Sequence, residues 1–130
     1  MGRPGQIGSD MSYLPPTFEL SIEDVDDRTA VVIVRGEIHL ATAPEFSERL
    51  NDVLAEGRTA VVVDLTEVGF IDSTGLSVLL NALRRITRAA GTLTLVCTNP
   101  TVLRLFEVTR MDTTFTIVDS RDEALARARG

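Results

Sequence analysis

A chain of 130 residues, 44% hydrophobic and 25% charged, has the composition of a globule long enough to bury a core and too short to make a second domain the expectation. Thirteen basic against nineteen acidic side chains leave a net charge of −6, which opposes nonspecific attraction to phosphate backbones and sets nucleic-acid binding aside. The single cysteine excludes an internal disulfide, and with neither an apolar run near the ~20 residues of a membrane span nor the apolar centre of a secretion signal, a cytoplasmic protein without a membrane partner is expected.

Residues 1–16, "MGRPGQIGSDMSYLPP", are polar and aperiodic, and read as a flexible tail in which Met11 offers an alternative start; residues 17–130 carry the fold. "TFELSI" (17–22) alternates Phe18, Leu20 and Ile22 with polar neighbours, as a half-buried strand does. The acidic turn "EDVDDR" leads into "TAVVIVRGEI", a β-branched strand expected to reach about Arg35, with a bend at Gly36 and a short extended piece in "EIHL". In "TAPEFSERLNDVLAEG", Thr42 and Glu45 have capping-box spacing, Phe46, Leu50, Val53 and Leu54 share a helical face, and Gly57 stops the helix.

"TAVVVDL" reads as a central strand covered on both faces. After "TEVGFI", residues Leu76, Leu79, Leu80, Leu83 and Ile86 mark the buried stripe of a helix running to about Arg88, whose outer face ends in Arg84, Arg85 and Arg88, cations that complement the negative end of its dipole. "AGTLTLVC" is the next strand, introduced by Gly91, and Cys97 at its end reads as an inert core thiol. Asn99 and Pro100 open a short helix with Leu103 and Phe106 inward; "TTFTIV" is the last strand and "DSRDEALARARG" a helix starting near Asp119 or Ser120. Strands alternating with helices imply parallel pairing through right-handed crossovers, with the first hairpin antiparallel: an α/β fold with one mixed sheet of about four or five strands against about four helices.

Catalytic constellations are missing. There is no Gly-rich phosphate loop and no G-x-S-x-G elbow, and His39, the only histidine, has no partner spacing. One cysteine and one histidine are too few for zinc, and the carboxylates Glu23, Asp24, Asp26 and Asp27 match no calcium loop. "DSTG" has one residue too many for an aspartic-protease element and no second copy. The expectation is a binding protein with no metal, no cofactor and no enzymatic activity.

The segment "VDLTEVGFIDSTGLSVLL" (63–80) places Asp72, Ser73 and Thr74 between a strand and a helix expected to begin near Gly75. One of the three should cap that helix by accepting hydrogen bonds from its first free amides. The carboxyl end of a parallel strand is also where ligands and partners approach α/β sheets.

The same residues carry a family resemblance. "DLTEVGFIDSTGLSVLL" resembles the phosphorylation-site segment of the STAS domains of bacterial anti-sigma factor antagonists, "RGEIHLATAPEF" resembles their other recurrent stretch, and "FEVTRMDTTFTIVDSRDEAL" their C-terminal part, so that the likeness covers about residues 17–128. It implies the STAS fold and a regulator that, when unmodified, binds an anti-sigma factor, often itself a serine kinase, and so frees a sigma factor. Phosphorylation switches the binding off, and a phosphoserine phosphatase restores it. Within the acid-Ser-Ser/Thr-Gly motif the family's phosphorylated hydroxyl, the first after the acid, maps to Ser73, with Thr74 the runner-up. Partner contact is implied for Asp72, Ser73, Thr74, Gly75 and Leu76, and for His39 and Thr42 in the recurrent loop, where the family often has an acid in place of His39.

A phosphate on Ser73 is expected to find free amides and the positive end of the helix dipole, worth roughly 0.3–1 kcal/mol to an anion. Gly75 is expected to resist side chains because a partner comes close there. The rival readings are a nucleotide-binding α/β domain, and a STAS protein of another assembly such as a stress-signalling scaffold or a lipid-transport complex.

Overall fold

The computed structural model describes residues 18–129, so the expected tail, Met11, Thr17 and Gly130 lie outside the described residues. The elements are β1 (Phe18–Asp24), β2 (Thr29–Ile38), α1 (Ala43–Ala55), β3 (Ala60–Ile71), α2 (Ser73–Arg88), β4 (Thr92–Val96), α3 (Pro100–Val108), a 3-10 turn (Met111–Thr113), β5 (Thr116–Val118) and α4 (Arg121–Arg129). The sheet runs β1-β2-β3-β4-β5; β1 is antiparallel to β2 and every other pair is parallel. The mixed sheet and its helices are those expected from the alternation of strands and helices.

Alternation decides which face each strand residue serves. Val32 and Val34 of β2, Val61, Val63 and Leu65 of β3, and Leu93 and Leu95 of β4 face the larger core, which Phe46 and Leu50 of α1, Leu79 and Ile86 of α2, and Phe106 of α3 complete. Val31, Val62, Val96 and Val118 point the other way and meet Ala124 of α4 in a smaller core. β3 is therefore apolar on both faces, as a central parallel strand should be.

Several boundaries differ from the expectation. β2 does not stop at Arg35; it continues to Ile38, so the separate piece expected in "EIHL" is the end of this strand followed by a turn. Gly36, at φ +102°, adapts the backbone without breaking it. β3 likewise runs on through "TEVGF" to Ile71, because the far half of β2 gives it a partner: Arg35 pairs with Glu67, Gly36 with Val68, Glu37 with Phe70 and Ile38 with Ile71. Two register shifts, between Ile33 and Arg35 and between Gly36 and Glu37, each let β3 gain one residue on β2.

Thr42 precedes α1 but makes no side-chain cap, and the expected capping box is absent because its backbone is already helical at φ −102°, ψ −17°. Gly57, at φ +86°, ends α1 as expected. Asn99 caps α3, accepting from the Thr101 amide at 2.8 Å, and Ser120 accepts from the Glu123 amide at 3.1 Å at the start of α4. In α3 the inward positions belong to Val102 and Phe106, while Leu103 is half-buried. The acidic hairpin turn is held by Arg58, which donates to the Asp26 and Asp27 carbonyls at 3.0 Å and to Asp24 Oδ1 at 2.6 Å.

Candidate functional site

β3 delivers Ile71 into the core, and the chain turns at once into α2. α2 begins at Ser73, two residues before the expected start, and the cap is Asp72. Its Oδ1 accepts from the Thr74 amide at 2.9 Å and the Gly75 amide at 3.1 Å, while its backbone carbonyl accepts from the Leu76 amide at 3.0 Å. Its second oxygen, Oδ2, accepts from the Leu40 amide at 3.1 Å, and its own amide donates to the Ile38 carbonyl at 3.0 Å. One residue thus ties the helix start to the end of β2 and to the turn that follows it.

That turn is held from within. Thr42 Oγ1 donates to the Glu37 carbonyl at 2.8 Å and accepts from the His39 amide at 2.9 Å, so this buried hydroxyl closes the loop and is unavailable to a partner. His39 Nδ1 accepts from the Ala41 amide at 3.2 Å, and its Nε2 lies 3.6 Å from Glu37 Oε1. The imidazole remains partly exposed.

Of the residues expected at the site, those at the helix start divide by exposure. Ser73 is exposed, and among the described residues its hydroxyl makes no hydrogen bond; only its carbonyl is used, by Ser77 Oγ at 3.0 Å. Thr74 is half-buried. Gly75 and Leu76 are buried. A Cβ on Gly75 would lie 2.5 Å from Ile38 Cγ2 and 2.8 Å from Ile71 Cγ1, so the space around this glycine is closed by the protein's own core. The expected sensitivity of Gly75 to side chains therefore has an internal cause.

The expected cradle of free amides for a phosphate is corrected in the same way. The Thr74 and Gly75 amides are already bonded to Asp72, so an anion on Ser73 would meet a carboxylate standing in the place it would seek. The helix dipole is what remains to favour it.

Two neighbours were not singled out from sequence. Leu40 is 74% exposed and Phe70 43% exposed, large apolar side chains flanking the α2 start on the turn and on β3. A signal was present for both: Phe70 alternates out of phase with the buried Ile71, and Leu40 follows His39 in an otherwise polar turn.

Comparison with known proteins places the chain in a family. The STAS domain family profile matches residues 22–124. An anti-sigma-B factor antagonist of Listeria monocytogenes is 33% identical over 92 residues, covering 71% of this chain and 81% of the relative. An anti-sigma-F factor antagonist of Mycobacterium tuberculosis is 29% identical over 116 residues, covering 89% and 93%. The solved structure of an anti-sigma factor antagonist from Mycobacterium paratuberculosis superposes with a TM-score of 0.82 at 32% identity, covering 90% of this chain and 98% of that one. With a profile that spans most of the chain and relatives of this kind, the chain belongs to the STAS-domain family of anti-sigma factor antagonists.

Proposed function

We propose that this protein binds an anti-sigma factor through the surface around the α2 start, and that phosphorylation of Ser73 by a serine kinase, in many such systems the anti-sigma factor itself, ends that binding. The observation that carries the reading is the division of labour at the junction: Asp72 caps the helix, which leaves the Ser73 hydroxyl exposed and unengaged. A serine needed as the cap would have to give up that bond to be modified; this one has none to give up.

A phosphate adds about −1.5 to −2 charges at pH 7. Within the protein it stays in water beside the positive helix end, and the fold survives. At an interface the same dianion, next to the Asp72 carboxylate, has to be desolvated. That costs roughly 2–5 kcal/mol, or from about thirtyfold to several thousandfold in affinity. The intermolecular penalty dominates, so the switch works by local charge. Exposed Leu40 and Phe70 supply the apolar area that a partner covers, and a phosphoserine phosphatase resets the state.

The test is to recover partners with the wild-type chain, add ATP, and read intact mass. Wild type should gain one phosphate and lose its partner, whereas Ser73→Ala should stay unmodified and bound. Phosphate incorporation into Ser73→Ala, or a wild type that gains none, would sink the assignment.

A further inference from the structure

The flank of α2, where Leu80 and Leu83 are half-buried against the edge of the core rather than fully in it, carries a second feature at the end away from Ser73. Half-buried Leu80, Leu83 and Met111 form the floor of an open groove of about 550 Å³ between α2 and the 3-10 turn, and Arg84 and Arg88 stand over it. Arg35, Arg58, Arg121 and Arg127 each meet a carboxylate and Arg85 donates to Asn51 Oδ1 at 3.1 Å, whereas Arg28, Arg49, Arg104 and Arg110 have no side-chain partner among the described residues; what sets Arg84 and Arg88 apart is that they stand together over one apolar floor. Arg84 and Arg88 are exposed and, among the described residues, have no ion pair or hydrogen bond. They lie one turn apart on the same face, where like charges repel. The helix dipole favours Arg88 in the last turn, but Arg84 lies before that turn, where the dipole effect has faded.

We propose that this groove is a docking surface separate from the switch, and that its occupant is an acidic amphipathic helix of a protein partner. Leucine-type side chains of the occupant cover Leu80, Leu83 and Met111, and carboxylates one turn apart pair with Arg84 and Arg88. Charge selects this occupant over a membrane: lipid headgroups are held by clusters of about four to eight cations. Here only two arginines stand over the groove, a pair that matches two carboxylates one helical turn apart and falls short of such a cluster. At 1.5 Å rise per residue the groove lies roughly 10–22 Å along α2 from Ser73, beyond a Debye length at physiological salt. Docking there is therefore independent of the charge on Ser73 and can persist through the switching cycle.

The test titrates the isotope-labelled full chain with a synthetic peptide of about four helical turns, with leucines at i, i+3, i+4 and i+7 and glutamates flanking them. Amide shifts should concentrate in Leu80–Arg88 and Met111–Thr114. Affinity should fall about tenfold or more in Arg84→Glu/Arg88→Glu, fall less in Arg84→Gln/Arg88→Gln, and stay unchanged in Ser73→Glu. The same peptide with lysine in place of glutamate should not bind. Absence of shifts up to about 1 mM peptide, shifts centred elsewhere, or undiminished binding to the charge-reversed variant would overturn the proposal. So would dodecanoate occupying these amides when the peptide does not, since the groove would then belong to a small amphiphile.

Discussion

Asp72 Oδ2 accepts the Leu40 amide at 3.1 Å while Oδ1 of the same carboxylate caps α2, so two segments 32 positions apart in the chain share one anion. Replacing Asp72 by Ala removes the cap and the tie together. The expected cost is about 1–2 kcal/mol, seen as a fall of several degrees in a thermal melt followed by circular dichroism. Asp72→Asn keeps the cap through its one amide oxygen but sets an NH2 donor against the Leu40 amide, so it should melt between wild type and Asp72→Ala. If Asp72→Ala melts with the wild type, the carboxylate is not holding these segments.

Gly75 supplies the next expectation. Because a Cβ would come within 2.5 Å of Ile38 Cγ2, Gly75→Ala and Gly75→Val should destabilise by about 1–3 kcal/mol in urea unfolding, Val more than Ala. Loss of partner binding in these variants should track loss of stability. A Gly75→Val chain of wild-type stability that fails to bind would instead place a partner against this glycine.

Phosphorylation of Ser73 should perturb only its surroundings. With the Thr74 and Gly75 amides occupied by Asp72, the phosphate competes with that carboxylate, and the Leu40 amide is the next group to feel it. Amide shifts between the two forms should be confined to the 38–42 turn and the first turns of α2, with the sheet unchanged and the thermal transition retained. Shifts throughout β4 and β5 would reveal a global change and contradict a charge-only switch.

Cys97 is fully buried, and burial pushes its thiol above the ordinary value of 9.0, against a smaller opposing pull from a backbone hydrogen bond of Asn99. The native chain should react slowly with a thiol reagent at neutral pH and quickly once unfolded. The folded chain holds this proton more tightly than the unfolded one, so stability should decline as pH rises through the ordinary thiol range and beyond. Rapid labelling of the native chain would contradict this burial.

The repeated apolar spacing of α1 and α2 and the β-branched runs of β2 and β3 made the architecture legible, since each pattern suits one period and one degree of burial. The far ends of β2 and β3 were not. "EIHL" and "TEVGF" are too polar to read as buried strand; Glu37 and Ile38 of the first, with Arg35 and Gly36 before them, are strand because they pair with the 67–71 stretch, a long-range fact, and His39 and Leu40 are the turn that follows. The cap illustrates the same limit. Asp72, Ser73 and Thr74 are all good capping residues, and what selects Asp72 is the geometry that lets its second oxygen reach Leu40. Thr42 had the spacing of a cap, yet its hydroxyl is spent closing its own turn. Leu40 and Phe70 carry no signal of their own in the sequence, because a single exposed apolar side chain is ordinary, and only their position beside Ser73 gives them meaning.

Gly69 has no counterpart on β2 between the Gly36–Val68 and Glu37–Phe70 pairs, and a side chain there would meet open space. Substitution at Gly69 should therefore be mild. Removing the residue should be mild as well: Val68 and Ile71 face the core while Gly69 and Phe70 both face water, so without Gly69 the run Val68, Phe70, Ile71 alternates in, out, in against Gly36, Glu37 and Ile38. The glycine is thus slack in the strand, an extra residue that the pairing absorbs before the chain reaches Ser73.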